Sequence, residues 1–263
     1  MDACIIIPAR YASQRYPGKP LVPLRGATGV AKTLLERSVL AARATGLPVY
    51  VATDDARIAA EAERVAAPVI LTSDTCRNGT ERVAEAVDRA GITADVVVNL
   101  QGDAPLTPAH FVPALIAALR ADPGVVMATP ALRCDAGALA NLLADRAAGR
   151  VGGTTVVRDL HGRALYFSKE VLPFSAGWAG DGPVPVFHHV GLYAYRRTAL
   201  SDYAALPPGV LERLEGLEQL RFLEHGLPVA ATEVTAPGAV FWELNNPTDV
   251  PLIEAALARM RME

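Results

Sequence analysis

Cysteine is scarce in this chain. Cys4, Cys76 and Cys134 are the only three in 263 residues, and no CxxC pair occurs, so a disulfide framework is excluded. Cys4 sits in an apolar run and reads as a small buried hydrophobe. A basic excess is also missing. Twenty-five Lys and Arg against 28 Asp and Glu give a net charge of −3, which argues against a nucleic-acid partner but leaves room for a locally cationic pocket. No apolar run approaches the ~20 residues of a membrane span. The run Cys4 to Ile7, ended by Pro8, is too short for the core of a secretory signal. The expected location is the cytoplasm, with no membrane partner. His110, His161, His188, His189 and His225 show no HExxH or other zinc spacing. The stretch Gly26 to Thr33 comes near a P-loop, but Ala31 stands where the second glycine belongs and no clear buried strand precedes it. A helix start is the better reading.

What the chain does have is alternation. Ala3 to Ile7, Pro48 to Ala52, Val69 to Leu71, Val96 to Leu100 and Val125 to Thr129 read as strands. Helical patterns lie between them, around Leu34 to Ala42, Ile58 to Ala66, Thr80 to Ala90 and His110 to Arg120. The Val/Ile runs are continuous, which suits strands covered on both faces. The fold class expected is α/β, a doubly wound, Rossmann-like core with a mainly parallel central sheet. After about residue 130 the pattern changes. Thr154 to Arg158, Ala164 to Ser168 and His189 to Arg196 read as strands without long helices between them, and Leu211 to Glu224 and Thr248 to Met262 as helices. The organisation expected is one domain over residues 1–263, with an inserted antiparallel region near 130–200.

In a doubly wound sheet, ligands bind outside the carboxyl ends of the strands. The loop Pro8 to Pro20 sits there and carries Arg10, Arg15, Gly18 and Lys19. Arginine forks onto phosphate oxygens, lysine acts as a movable point charge, and glycine permits a tight backbone path, so the loop suits a triphosphate. Taken alone, the same charges read equally well as a solvated surface.

The stretch Pro8 to Leu21 resembles the PARyaStRlPGKpL signature of the CMP-Kdo synthetases (3-deoxy-manno-octulosonate cytidylyltransferases), departing only at Gln14 and Tyr16. Arg77 to Arg82 resembles the family's R-S-G-T-E-R block, and Asn99 to Pro105 its N-V-Q-G-D-E-P block. Ala164 to Lys169, His189 to Arg196 and Leu217 to Arg221 are similar to three later blocks, in the same order. The resemblance implies a nucleotidyltransferase fold, transfer of CMP from CTP to Kdo with release of pyrophosphate, Mg2+ as the metal, a homodimer formed through the inserted region, and a place in lipopolysaccharide biosynthesis. It implies that Pro8, Ala9, Arg10, Arg15 and Lys19 hold the nucleotide, that Arg77, Asn78 and Gly79 recognise cytosine and ribose, and that Gln101 faces nucleotide or acceptor. Lys169, His189, Tyr193, Glu218 and Gln219 fall to the acceptor. Asp103 is implied as the Mg2+ ligand, and its place at the tip of a buried strand suits that role; a turn or helix-cap aspartate is the alternative. Arg10, Lys19 and Asp103 form the implied catalytic set, in which an acceptor oxygen attacks the α-phosphorus in line.

The chain also departs from the family. Asn245 stands where a second metal-binding aspartate belongs, offering a neutral oxygen instead, and Asp249 of the same block reads as a helix-start residue. Ala104 replaces a glutamate, Thr155 stands near a family lysine, and Lys169 replaces an arginine, losing the bidentate fork. Nucleotide-side motifs are kept while the acceptor side drifts. The donor expected is therefore CTP, and the acceptor is left open between Kdo, another ulosonic acid and a small acid such as a phosphonate. A non-catalytic nucleotide-binding homologue is the reading from a different class.

Overall fold

The computed structural model describes residues 1–12, 16–151, 153–176, 178, 184–236, 243–244 and 246–262. Its sheet is organised around β1 (Ala3–Pro8). Ile5 and Ile7 pack into one core and Cys4 and Ile6 into another, and all four are buried. A strand covered on both faces needs the β-branched, unalternating sequence found here. β4 (Val49–Thr53) and β6 (Val96–Leu100) flank it in parallel, and β5 (Val69–Leu71) extends the β4 edge.

Helices cover both faces. α3 (Gly79–Ala90) brings Val83 and Val87 to the Ile6 side. α1 (Leu34–Arg43), α2 (Ala56–Arg64) and α4 (Phe111–Ala121) bring Leu35, Val39, Ile58 and Leu115 to the other. Three of these helices start on a side-chain cap. Thr33 accepts from the Glu36 N–H at 3.0 Å, Asp55 from Arg57 at 2.9 Å and Asn78 from Glu81 at 2.8 Å, each satisfying an otherwise orphaned donor.

Beyond β6, the chain crosses to β7 (Met127–Arg133), which points the same way. β11 (Leu192–Arg196) runs between β6 and β7, antiparallel to both, and β12 (Val229–Val234) closes the far side of β7 in parallel. β10 (Phe187–His189) continues the line of β11 along β7, then pairs with β8 (Thr154–Arg158), which pairs with β9 (Ala164–Ser168), all antiparallel. The fold is thus the α/β class expected, a mostly parallel Rossmann-like core with an antiparallel extension.

Several elements differ from the sequence reading. The P-loop-like stretch lies in the turn and second strand of a separate hairpin, β2 (Pro23–Arg25) with β3 (Ala31–Thr33), and only its last residue, Thr33, starts a helix. α5 (Ala136–Ala147), α6 (Arg197–Ala205) and β12 were not expected. The helix expected over Leu211 to Glu224 is two, α7 (Val210–Glu215) and α8 (Leu220–Glu224), because Gly216 takes the left-handed conformation at φ 63° and ends the first. α9 (Val250–Arg259) packs Ile253 and Leu257 against Leu24 and Leu34. It follows a capping box in which Asp249 accepts from the Asn246 N–H at 2.6 Å, the helix-start role expected of it. No described helix is long and apolar enough to cross a membrane.

Ile6 is fully buried at the centre of the sheet, so Ile6→Ala should lower stability by about 2–5 kcal/mol. The check is a lower urea midpoint with an unchanged m-value.

Candidate functional site

The carboxyl ends of β1 and β6 open into a cleft of about 700 Å³, where a doubly wound sheet receives its ligands. Pro8, Ala9 and Arg10 enter it from the end of β1, and Gln101 and Asp103 from the end of β6. Lys19 reaches in from the loop after β1, Arg77, Asn78 and Gly79 from the start of α3, His189 and Tyr193 from β10 and β11, and Glu218 and Gln219 from the turn between α7 and α8. Residues singled out from separate stretches of sequence therefore share one hollow. Lys169 does not line it. Its Nζ sits at the rim, 3.1 Å from where a Cβ on the lining residue Gly216 would stand. Arg15 and Asn245 lie outside the described residues. A second hollow, of about 730 Å³, opens at the opposite end of the strands beside Met1, Leu47 and Arg120, and contains none of the site residues.

Lys19 and Asp103 are joined directly, Nζ to Oδ2 at 2.7 Å. The turn that aims Lys19 depends on Gly18, whose φ of 72° favours glycine and whose N–H donates to the Tyr11 carbonyl at 2.9 Å. Arg10 is exposed and, among the described residues, forms no ion pair, so its guanidinium remains available to an anion.

The start of α3 is more heavily engaged than the sequence suggested. Asn78 accepts from Glu81 with its oxygen and donates its Nδ2 to the Tyr203 hydroxyl at 2.9 Å. Each end of the side chain thereby has one partner within the fold, with a second N–H and a second lone pair remaining. Arg77 pairs with Glu81 at 2.6 Å, and Glu81 also accepts from Arg221 at 3.3 Å. Arg221 is buried, held bidentately by Glu212 at 2.7 and 2.6 Å, and stacks over the Tyr203 ring at 4.0 Å. Glu218 accepts from the Thr80 N–H at 3.1 Å and from Gln101 Nε2 at 3.3 Å. Burial raises its pKa above the usual carboxylate range, with the Thr80 hydrogen bonds opposing the rise. The absence of a side chain at Gly79 leaves room for Gln101, whose Nε2 is 3.0 Å from the position a Cβ would take.

His189 is buried, with its ring 5.0 Å from Phe167 and 5.6 Å from Tyr193. Thr129 donates to the Leu192 carbonyl at 2.8 Å, so its oxygen accepts from His189 Nε2 at 2.9 Å. This network assigns the proton to Nε2 and leaves Nδ1 as an acceptor. Burial lowers the pKa of His189 to about 3, and the ring is neutral at physiological pH. Of the positions where the chain departs from the family, Thr155 is a core residue whose hydroxyl donates to the Glu170 carbonyl at 2.7 Å, and Ala104 is buried. Glu243 and Gly191 also line the cleft. Glu243 escapes the sequence reading because it lies outside every block of the resemblance.

Residues 4–232 match the family model described as Cytidylyltransferase. The chain belongs to the cytidylyltransferase family. A 3-deoxy-manno-octulosonate cytidylyltransferase of Maricaulis maris is 41% identical over 260 residues, 98% of either chain. An enzyme of the same name from Anaeromyxobacter is 43% identical over 255 residues, 97% of this chain and 96% of its own. An 8-amino-3,8-dideoxy-manno-octulosonate cytidylyltransferase of Shewanella woodyi is 38% identical over 262 residues, 98% of this chain and 99% of its own. Among solved structures, a CMP:2-keto-3-deoxy-manno-octonic acid synthetase complexed with CTP is similar at a TM-score of 0.79 and 32% identity, covering 99% of this chain and 100% of that one.

In this cytidylyltransferase, the unfolded chain protonates His189 near pH 6.5 while the folded chain does so only near 3. Stability should therefore fall as pH drops through that window, by about 1.4 kcal/mol per unit for this group. His188, lowered to about 4 by burial, adds to the slope. Urea titrations between about pH 6.5 and 5 check it: His189→Phe should make the decline shallower, and an unaltered slope would contradict the assignment.

Proposed function

We propose that the chain transfers CMP from CTP to Kdo or a related acidic sugar, releasing pyrophosphate, with Mg2+ as the working cation. The observation that carries this reading is the meeting of Arg10, Lys19 and Asp103 in one cleft at the carboxyl ends of β1 and β6. Two cations answer a triphosphate there, and a carboxylate answers a metal ion.

The donor set fits the metal. Among the described residues no cluster of three or more His, Cys, Asp or Glu side chains is placed to hold an ion. Mg2+ asks for less than that, one or two carboxylates completed by phosphate oxygens and water. The Asp103 carboxylate already attracts one cation, Lys19, at 2.7 Å. A divalent cation held by Asp103 would supply neutralisation of charge on the phosphates. Arg10 and Lys19 grip the triphosphate, Lys19 exchanging its carboxylate partner for a phosphate oxygen. Gln101, fixed by Glu218, and the buried aromatic group of His189 and Tyr193 form the wall against which the acceptor is oriented for in-line attack on the α-phosphorus. Rate enhancement comes from positioning and from charges preorganised where the transition state needs them, with no covalent enzyme intermediate.

Assembly as a homodimer in the cytoplasm belongs to the same reading. Leu143, Val151, Leu165 and Phe174 are exposed in the region around the antiparallel strands and support it. Val186, Phe187, Val190 and Leu192, also apolar, are buried within the chain itself and add nothing to that surface.

Incubation with CTP, Mg2+ and a panel of ulosonic acids, amino-substituted ones included, should release pyrophosphate. Lys19→Met should lower kcat/KM by roughly 10²–10³. Absence of release with every acid in the panel would overturn the proposal.

A further inference from the structure

Arg57 belongs to none of the blocks that identify the site, and it does not line the cleft. It stands in the first turn of α2, where two groups fix it. Arg57 donates Nε to Oδ1 of Asp55 at 2.9 Å and Nη2 to Oδ2 at 2.6 Å. The guanidinium then lies over the Tyr11 ring, its Cζ 3.3 Å from the ring centroid. A carboxylate fork sets the plane of an arginine, and a planar cation stacks well on an aromatic face. The charge of Arg57 is thus answered by Asp55, and its flat face is committed to Tyr11.

Tyr11 sits between the two cations that face the cleft. It follows Arg10 directly in the chain. Its carbonyl accepts from the Gly18 N–H at 2.9 Å, and Gly18 precedes Lys19. Its ring meets the same glycine: a Cβ at Gly18 would stand 3.1 Å from Cε2, Cζ and Oη alike. Glycine is therefore needed there for room as well as for the φ of 72°. The short helical turn that carries Lys19 begins at this point, with the Leu21 N–H donating to the Gly18 carbonyl at 2.9 Å. Fixing Tyr11 fixes the backbone from which both cations extend.

The stack takes over where the sheet stops. The ladder between β1 and β4 ends with the Ala9 N–H donating to the Ala52 carbonyl at 2.9 Å. Two residues later, Tyr11 is joined through Arg57 to the first turn of the helix that follows β4, and it packs on the core that contains Leu35 and Ile58. Charges held in place before a ligand arrives bind it more tightly than charges that must first be ordered.

We infer that Arg57 is a positioning residue for the triphosphate, aiming Arg10 and Lys19 through its stack on Tyr11 without touching the nucleotide itself. The inference rests on the cytidylyltransferase reading of the cleft and adds to it a residue outside the site. The test is calorimetric titration with CTP and with CMP, each with Mg2+, two nucleotides that differ by the outer phosphates. Arg57→Met, at an exposed helix start, should weaken CTP binding by about three- to tenfold and CMP binding by less than about twofold. Tyr11→Leu should act in the same way, whereas Tyr11→Phe keeps the ring and should hold CTP affinity within about twofold of the unaltered chain. The losses should not add, so that the double variant binds CTP about as weakly as Tyr11→Leu alone. Unchanged CTP affinity in Arg57→Met, equal weakening of CTP and CMP, additive losses, or a Tyr11→Phe variant as weak as Tyr11→Leu overturns the inference. CTP binding without turnover of any acid strikes instead at the proposed activity, so the two failures are distinct.

Discussion

The contact between Lys19 and Asp103 is the constraint around which the site is assembled. The two residues are 84 positions apart in sequence, and their side chains meet because β1 and β6 are adjacent and parallel, bringing both carboxyl ends to the same edge of the sheet. Register matters as much as adjacency. With Ile6 opposite Asn99, the loop leaving β1 and the turn leaving β6 start at the same height. Slipping one strand by a single residue would exchange the side chains of β1 between its two cores and offset the loop from the turn by about 3.3 Å. The pairing of these two strands thus fixes where a charged pair appears several residues later.

A second web of polar contacts joins the early part of the chain to the late part. Glu218 reaches back to the first turn of α3, Arg221 reaches Glu81, and Tyr203 takes a hydrogen bond from Asn78. Every one of these links binds the segment 203–221 to the start of one helix. Buried networks of this kind are costly when half-satisfied and rigid when complete. Here the network holds the turn between α7 and α8 against the nucleotide side of the cleft.

Much of this was legible in the sequence because the site is built from contiguous blocks. The loop after β1, the start of α3 and the end of β6 each carry several functional residues within six to fourteen positions, and each follows or opens an element with a clear period. What was not legible depends on tertiary context. β12 reads Val-Ala-Ala-Thr-Glu-Val, a weak strand former whose stability comes from β7 beside it. α6 follows β11 without an intervening loop or a side-chain cap, so no local signal separates them. α5 does carry one, Asp135 accepting from the Ala138 N–H at 2.7 Å, but Gly137 in its first turn weakens the pattern. Lys169 was placed by its block, and its side chain stands at the rim of the cleft, where the Glu215 carboxylate takes its backbone N–H at 2.9 Å. Glu243 needs the hydrogen bond from the Leu244 N–H to the Asp103 carbonyl to be found at all.

The Glu81 carboxylate answers two arginines at once, one on the exposed rim and one in the interior, and the buried one lies 140 residues downstream. Neutralising Glu81 leaves the interior arginine with Glu212 as its one acidic partner, so damage at the first turn of α3 is felt as a less well compensated charge inside the late half of the chain.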